Sequence, residues 1–114
     1  MKTLVTGGSG RIGLRLARRF AEEGHQVYCT FYENNYPIDG CTSLKLDIRN
    51  REASLKLFKD MKPELTFHCA ALTDLELCET NRILAETINV HGTRNIIDAC
   101  KLVHSRIVYF STSN

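Results

Sequence analysis

Residues Leu4-Val5-Thr6-Gly7-Gly8-Ser9-Gly10-Arg11-Ile12-Gly13 set an apolar strand directly before glycines spaced by three, and helical periodicity follows. That order predicts a strand, a tight reversal, and a helix whose amino end faces the turn. Gly7 lets the chain reverse, Gly10 lets backbone approach an anion with no Cβ in the way, and Gly13 lets the helix pack on the strand. The first helical turn adds unpaired N–H groups and the positive end of its dipole, so a diphosphate is the expected occupant. A glycine triplet alone is a weak signal. Here the strand before it, and Ile12, Leu16, Ala17 and Phe20 after it at helical spacing, supply the context.

The 114 residues, 43% hydrophobic and 25% charged, have material for one core and are expected to form one domain over 1–114. No apolar run reaches the length of a membrane span, and the amino end enters a strand with no charged-then-apolar leader. A cytoplasmic location, with no membrane partner, is expected. The five cysteines (Cys29, Cys41, Cys69, Cys78, Cys100) are odd in number and form no C-x-x-C pair, which predicts buried reduced thiols. A net charge of +2 gives no general attraction to nucleic acid, and Arg15, Arg18 and Arg19 read as a solvated helix face. His25, His68, His91 and His104 lack metal-ligand spacing, so no metal site is expected.

Strand and helix signals alternate along the chain. Strands are predicted at Lys2–Thr6, Gln26–Phe31, Thr42–Leu46, Leu65–Ala71 and Arg106–Ser111. The first helix closes at Gly24, a second runs from Arg51 to Met61 until Pro63 stops it, and a third spans Asn81–Val103. Ile83, Leu84, Ile88, Ile96, Ile97 and Cys100 form the apolar stripe of the third. The fourth and fifth strands are apolar on both faces, which indicates a parallel sheet covered by helices on each side. The expected fold is α/β, a doubly wound parallel sheet of the Rossmann type with strand order 3-2-1-4-5 and right-handed crossovers.

Five motifs, in order and at matching spacing across the whole chain, resemble the extended short-chain dehydrogenase/reductases of the NAD-dependent epimerase/dehydratase superfamily. They are the glycine loop Thr6–Gly13, Asp47-Ile48 after the third strand, His68-Cys69-Ala70-Ala71 ending the fourth, Asn89-Val90-His91-Gly92-Thr93-Arg94-Asn95 in the long helix, and Ser111-Thr112 after the fifth. The resemblance implies a nicotinamide dinucleotide cofactor and, for most members, a sugar-nucleotide substrate. It implies that Gly7, Ser9, Gly10, Arg11, Ile12 and Gly13 hold the pyrophosphate, and that Asp47 and Ile48 meet the adenine. Ala70 and Ala71 would lie against the ribose, and Thr73 would stand near the nicotinamide. Two catalytic positions carry over: Asn89, ordering the active-site helix, and Thr112, whose hydroxyl bonds the substrate oxygen. Asp47 also has a plainer reading as an N-cap-type acid.

Two departures bear on function. NAD-selecting members end the second strand in an acid that grips the ribose diol, but Phe31 followed by Tyr32 stands here, so NADP is favoured, with NAD possible. The family's reaction also needs a tyrosine and, four residues on, a lysine that lowers its pKa, both beyond the fifth strand. This chain contains neither, so it is expected to be truncated after that strand and inactive alone. Ala70 to Glu79 resembles the dTDP-4-dehydrorhamnose reductase branch, whereas the glycine loop and Asp47-Ile48-Arg49-Asn50 are equally similar to UDP-glucose 4-epimerases. The alternatives are thus a 4-epimerase or dehydratase, or a non-catalytic NADP-binding regulatory module such as the one that partners methionine adenosyltransferase. Sugar-nucleotide binding would need a C-terminal part. An open apolar edge at the fifth strand is expected to recruit that part or a second copy.

Overall fold

A computed structural model describes residues 1–7, 11–32, 37–69 and 88–109, with backbone alone for Arg11, Ile88 and Asn89. Its frame is a five-stranded parallel sheet: β1 (Lys2–Thr6), β2 (Gln26–Phe31), β3 (Cys41–Lys45), β4 (Leu65–His68) and β5 (Arg106–Tyr109). The order across the sheet is β3-β2-β1-β4-β5, as predicted. Among the described residues three α-helices, α1 (Arg11–Glu22), α2 (Arg51–Met61) and α3 (Thr93–Val103), lie between strands, and α3 is entered through one π turn, Ile88–Gly92.

Successive strand residues point to opposite faces, and the two faces of β1 feed two cores. Leu4 joins Phe58 and Met61 of α2 and Ile96, Ala99 and Cys100 of α3. Val5 joins Ala17 of α1, Val27 and Cys29 of β2, and Phe67 and Cys69. One face of the sheet is therefore covered by α1 and the other by α2 and α3. This double covering is why β1 reads as a continuous buried run, Thr3 through Thr6.

Local chemistry sets the helix ends. α1 stops in a Schellman motif: His25 N–H donates to the Phe20 carbonyl at 3.0 Å, Gly24 N–H to the Ala21 carbonyl at 3.1 Å, and Gly24 sits at φ +89°. α2 begins at Asn50, whose side chain accepts from Ala53 N–H at 3.0 Å, so the capping role considered for Asp47 belongs to Asn50. α2 and α3 end on left-handed residues that are not glycine, Lys62 (φ 51°) and His104 (φ 60°).

Several boundaries and faces differ from expectation. β3 lies one residue earlier than predicted because Cys41 pairs with Val27, and β2 ends at Phe31 before Leu46 can be paired in full. β4 leaves the ladder after His68, since its partner β1 ends at Thr6. The fifth strand, apolar on both faces in sequence, leaves Val108 and Tyr109 39% and 47% exposed, in keeping with the open apolar edge expected there; among the described strands β5 is outermost and pairs with β4. Ile12, expected on the apolar face of α1, is 39% exposed; the buried face passes instead through Gly13 and Ala17. On α3 the buried face runs through Asn95, Ile96, Ala99 and Cys100, leaving Ile97 half-buried. Residues 70–71, 81–87 and 110–111 of the predicted elements lie outside the described residues, as does Cys78.

Candidate functional site

β1 pairs with β2 on one side and β4 on the other, so the sheet is built outward in both directions from β1. In doubly wound sheets, ligands seat in the crevice at the carboxyl ends of the strands flanking such a switch point. Gly7 follows β1 at that crevice with φ +71°, a backbone region that glycine enters without penalty. The amino end of α1 comes next, with Gly13 buried. Of the other pyrophosphate candidates, Ser9 and Gly10 lie outside the described residues. So do Ala70, Ala71, Thr73 and Thr112, as well as the side chains of Arg11 and Asn89.

A polar column lies at the carboxyl ends of β1 and β4. Thr6 Oγ1 lies 2.7 Å from His68 Nδ1, and His68 Nε2 lies 3.0 Å from Thr93 Oγ1. Cys69 N–H donates to Thr6 Oγ1 at 3.1 Å and to the Thr6 carbonyl at 3.1 Å. The His68 ring is wholly buried and stacks on Tyr109 with centroids 5.5 Å apart. A neutral imidazole needs one donor and one acceptor, and the flanking hydroxyls can supply both. Burial holds the ring neutral, pushing its pKa from 6.5 down to about 4. β1, β4, β5 and α3 are thus joined through one side chain.

A second cluster forms where β2 and β3 end. The Arg49 guanidinium grips Asp47 through Nε to Oδ1 at 2.9 Å and Nη2 to Oδ2 at 2.8 Å, and Arg49 N–H donates to Oδ1 at 3.0 Å. The guanidinium also donates to the Tyr32 hydroxyl at 2.9 Å and lies 5.2 Å above that ring's centre. Its hydrogen bonds hold the Asp47 carboxyl below the usual carboxylate range. Ile48 is buried behind this pair, and Phe31, at the end of β2, is half-buried. Asn95 of α3 reaches the same loop, its Nδ2 donating to the Ile48 carbonyl at 2.9 Å and the Arg49 carbonyl at 3.2 Å.

Asp47, Ile48 and Tyr32 lie in this one cluster, and Arg49, Gly92, Thr93 and Asn95 carried no role in the sequence reading. A signal for Asn95 was available: it is a polar residue three positions after Gly92, on the helix face otherwise filled by Ile96 and Ala99. Burial raises the pKa of the described thiols and keeps them protonated. Burial pushes Cys29 and Cys69 up to about 12, and Cys41 Sγ donates to the Ala17 carbonyl at 3.5 Å.

A parallel sheet reversing its growth at β1, with a left-handed glycine at that point, defines a doubly wound α/β protein with a ligand crevice at its switch point. The chain belongs to the RmlD substrate binding domain family, whose model matches residues 1–114, within the extended short-chain dehydrogenase/reductases. It is 29% identical over 112 residues to a probable low-salt glycan biosynthesis reductase, Agl14, of Haloferax volcanii, covering 98% of this chain and 37% of that protein. A hypothetical dTDP-4-dehydrorhamnose reductase from Sulfolobus tokodaii superposes with a TM-score of 0.80 at 33% identity, over 97% of this chain and 39% of that one. The Thermus thermophilus UDP-glucose 4-epimerase in complex with NAD superposes at 0.83 with 26% identity, over 98% and 38%. The chain thus spans less than two fifths of the length of these proteins.

Proposed function

We propose that this chain is the cofactor-binding half of an NADP-dependent oxidoreductase that reduces a 4-keto sugar nucleotide, of the dTDP-4-dehydrorhamnose reductase kind. The observation that carries this reading is the pairing of Gly7 at the switch point with the Asp47–Ile48 loop at the ends of β2 and β3. The glycine turn, Gly7 through Gly13, receives the pyrophosphate against the amino end of α1. Asp47 accepts from the exocyclic amine of adenine. Ile48 N–H, which has no partner among the described residues, donates to the ring edge. Ala70 and Ala71 leave room for the ribose, Thr73 stands near the nicotinamide, Asn89 orders the helix, and the Thr112 hydroxyl bonds the substrate oxygen. When bound, the dinucleotide supplies the hydride. The tyrosine and lysine that the family resemblance implies for the proton would lie beyond the fifth strand. The reductase names of the Haloferax and Sulfolobus relatives support this reading, and the NAD held by the Thermus epimerase supports the dinucleotide.

The choice of NADP rests on charge. Phe31 stands where an acid would repel a 2′-phosphate, and the Arg49 cation lies against Tyr32 one residue on. Titration of NADPH and NADH by cofactor fluorescence is expected to give NADPH at least the affinity of NADH. Phe31→Asp, which adds an acceptor for both ribose hydroxyls and repels phosphate, is expected to move the ratio toward NADH by about tenfold. A wild-type preference of about tenfold or more for NADH would overturn the NADP assignment.

β5 is the outermost of the five described strands, with Val108 and Tyr109 exposed, and we assign the flank that no described strand pairs to a further strand or a second copy of the chain. Light scattering of the 114-residue chain is expected to show self-association. A monodisperse monomer at millimolar concentration would contradict it.

A further inference from the structure

We propose that Asn95 is a positioning residue for Asp47, acting through the peptide that joins Ile48 to Arg49. The inference rests on the reading that Asp47 meets adenine. Asn95 Nδ2 holds the carbonyl end of that peptide at 2.9 Å. The N–H end of the same peptide donates to Asp47 Oδ1 at 3.0 Å. Because a peptide is planar, with its C=O and N–H pointing oppositely, fixing both ends fixes its rotation. The direction of the Asp47 carboxylate is therefore set from α3, on the far side of the loop. Nδ2 also donates to the Arg49 carbonyl at 3.2 Å, so the next peptide is restrained by the same amide.

Gly92 makes this reach possible. A Cβ there would lie 2.6 Å from Ile48 Cγ1, so the buried Ile48 side chain rests against the helix entry and would have to shift to admit one. Gly92 and Asn95 are three residues apart, hence on one helix face, and that face carries both the close approach and the amide. Asn95 is 7% exposed, so its donors have no ready exchange with water. The guanidinium of Arg49 also grips the carboxylate, through Nε to Oδ1 and Nη2 to Oδ2. Asp47 is thereby aimed by two contacts, of which Asn95 is the one that does not itself touch the carboxylate.

A residue that merely stabilised the fold would change binding of every ligand alike. A residue that aims Asp47 changes what Asp47 reads, which is the difference between adenine and hypoxanthine, whose exocyclic carbonyl oxygen replaces the amino donor. The test is the affinity ratio of NADPH to its hypoxanthine analogue, measured on the full chain for wild type, Asp47→Ala, Asn95→Asp and Asn95→Ser. Wild type is expected to favour adenine by about tenfold, the effect of one charge-assisted hydrogen bond. Asp47→Ala is expected to abolish the preference. Asn95→Asp keeps the shape but, when ionised, has no proton for the two carbonyls; the ratio is expected to fall below about twofold at pH 8 and to recover partly at pH 5 as the new acid is protonated. Asn95→Ser removes the reach without adding charge, and circular dichroism checks that each variant folds. Equal binding of both dinucleotides by wild type would overturn the Asp47 reading together with this inference. A preference lost in Asp47→Ala but kept in both folded Asn95 variants, or lost by equal weakening toward both ligands, would overturn the inference alone.

Discussion

Gly10→Asp is expected to weaken NADPH binding by at least about a hundredfold while leaving the fold intact. In sequence, position 10 falls between the left-handed Gly7 and the first residue of α1, Arg11. An added carboxylate there does two things. It fills the space through which a phosphate oxygen would approach backbone, and it sets a negative charge against a dianionic diphosphate. Two like charges about 4 Å apart in a partly desolvated site repel by about 4 kcal/mol, which exceeds the roughly 2.7 kcal/mol of a hundredfold change. The helix end would gain a built-in anion in place of the diffusing one, so the variant is not expected to lose stability. Fluorescence titration with circular dichroism as a check on folding decides the matter. An unchanged affinity would move the phosphate site elsewhere in the molecule.

The second large effect concerns acid. His68 has a folded pKa of about 4 against an ordinary value of 6.5, with burial as the cause. Above pH 6.5 the ring is neutral in both folded and unfolded chains, and its titration costs nothing. As pH falls from 6.5 toward 4 the unfolded chain takes up a proton that the folded chain refuses, so stability drops by about 3 kcal/mol and then levels off. Urea unfolding from pH 7.5 to 4 is expected to show this loss. His68→Gln cannot take up that proton, so its stability is expected to be nearly flat over the same interval. It is also expected to be lower at pH 7.5 by about 1–3 kcal/mol, because the Thr6 and Thr93 hydroxyls lose a fitted partner. A variant that keeps the wild-type acid slope would assign the proton uptake to other groups.

Much of the fold was legible because each β–α–β unit writes its own punctuation. Lys2–Thr6, Gln26–Phe31 and Arg51–Met61 match their predicted limits, since apolar runs bounded by Gly7, Gly24 and Pro63 leave few alternatives. The strand order followed from helices separating doubly buried strands. Errors arose where a neighbour, and not the segment itself, sets the end. β4 stops at His68 because β1 stops at Thr6. The site was legible through motifs spaced along the chain, which assigned Asp47 and Ile48 to one loop. Contacts across the fold were not: Arg49 meeting Tyr32 spans 17 positions and Asn95 meeting Ile48 spans 47. Periodicity marks Asn95 as facing inward, but its partner depends on how closely α3 packs on the β3–α2 loop.

The left-handed ends of α2 and α3 have a practical meaning. Lys62 and His104 hold a conformation that costs a side-chain-bearing residue about 1 kcal/mol relative to glycine, and they do so just before β4 and β5 begin. Those are the amino ends of the strands, whereas Gly7 and Asp47 lie at the carboxyl ends. The molecule thus keeps an unspent margin of heat tolerance at the pole remote from the proposed cofactor crevice. Selection or engineering can draw on that margin through these two positions and leave cofactor recognition as it is.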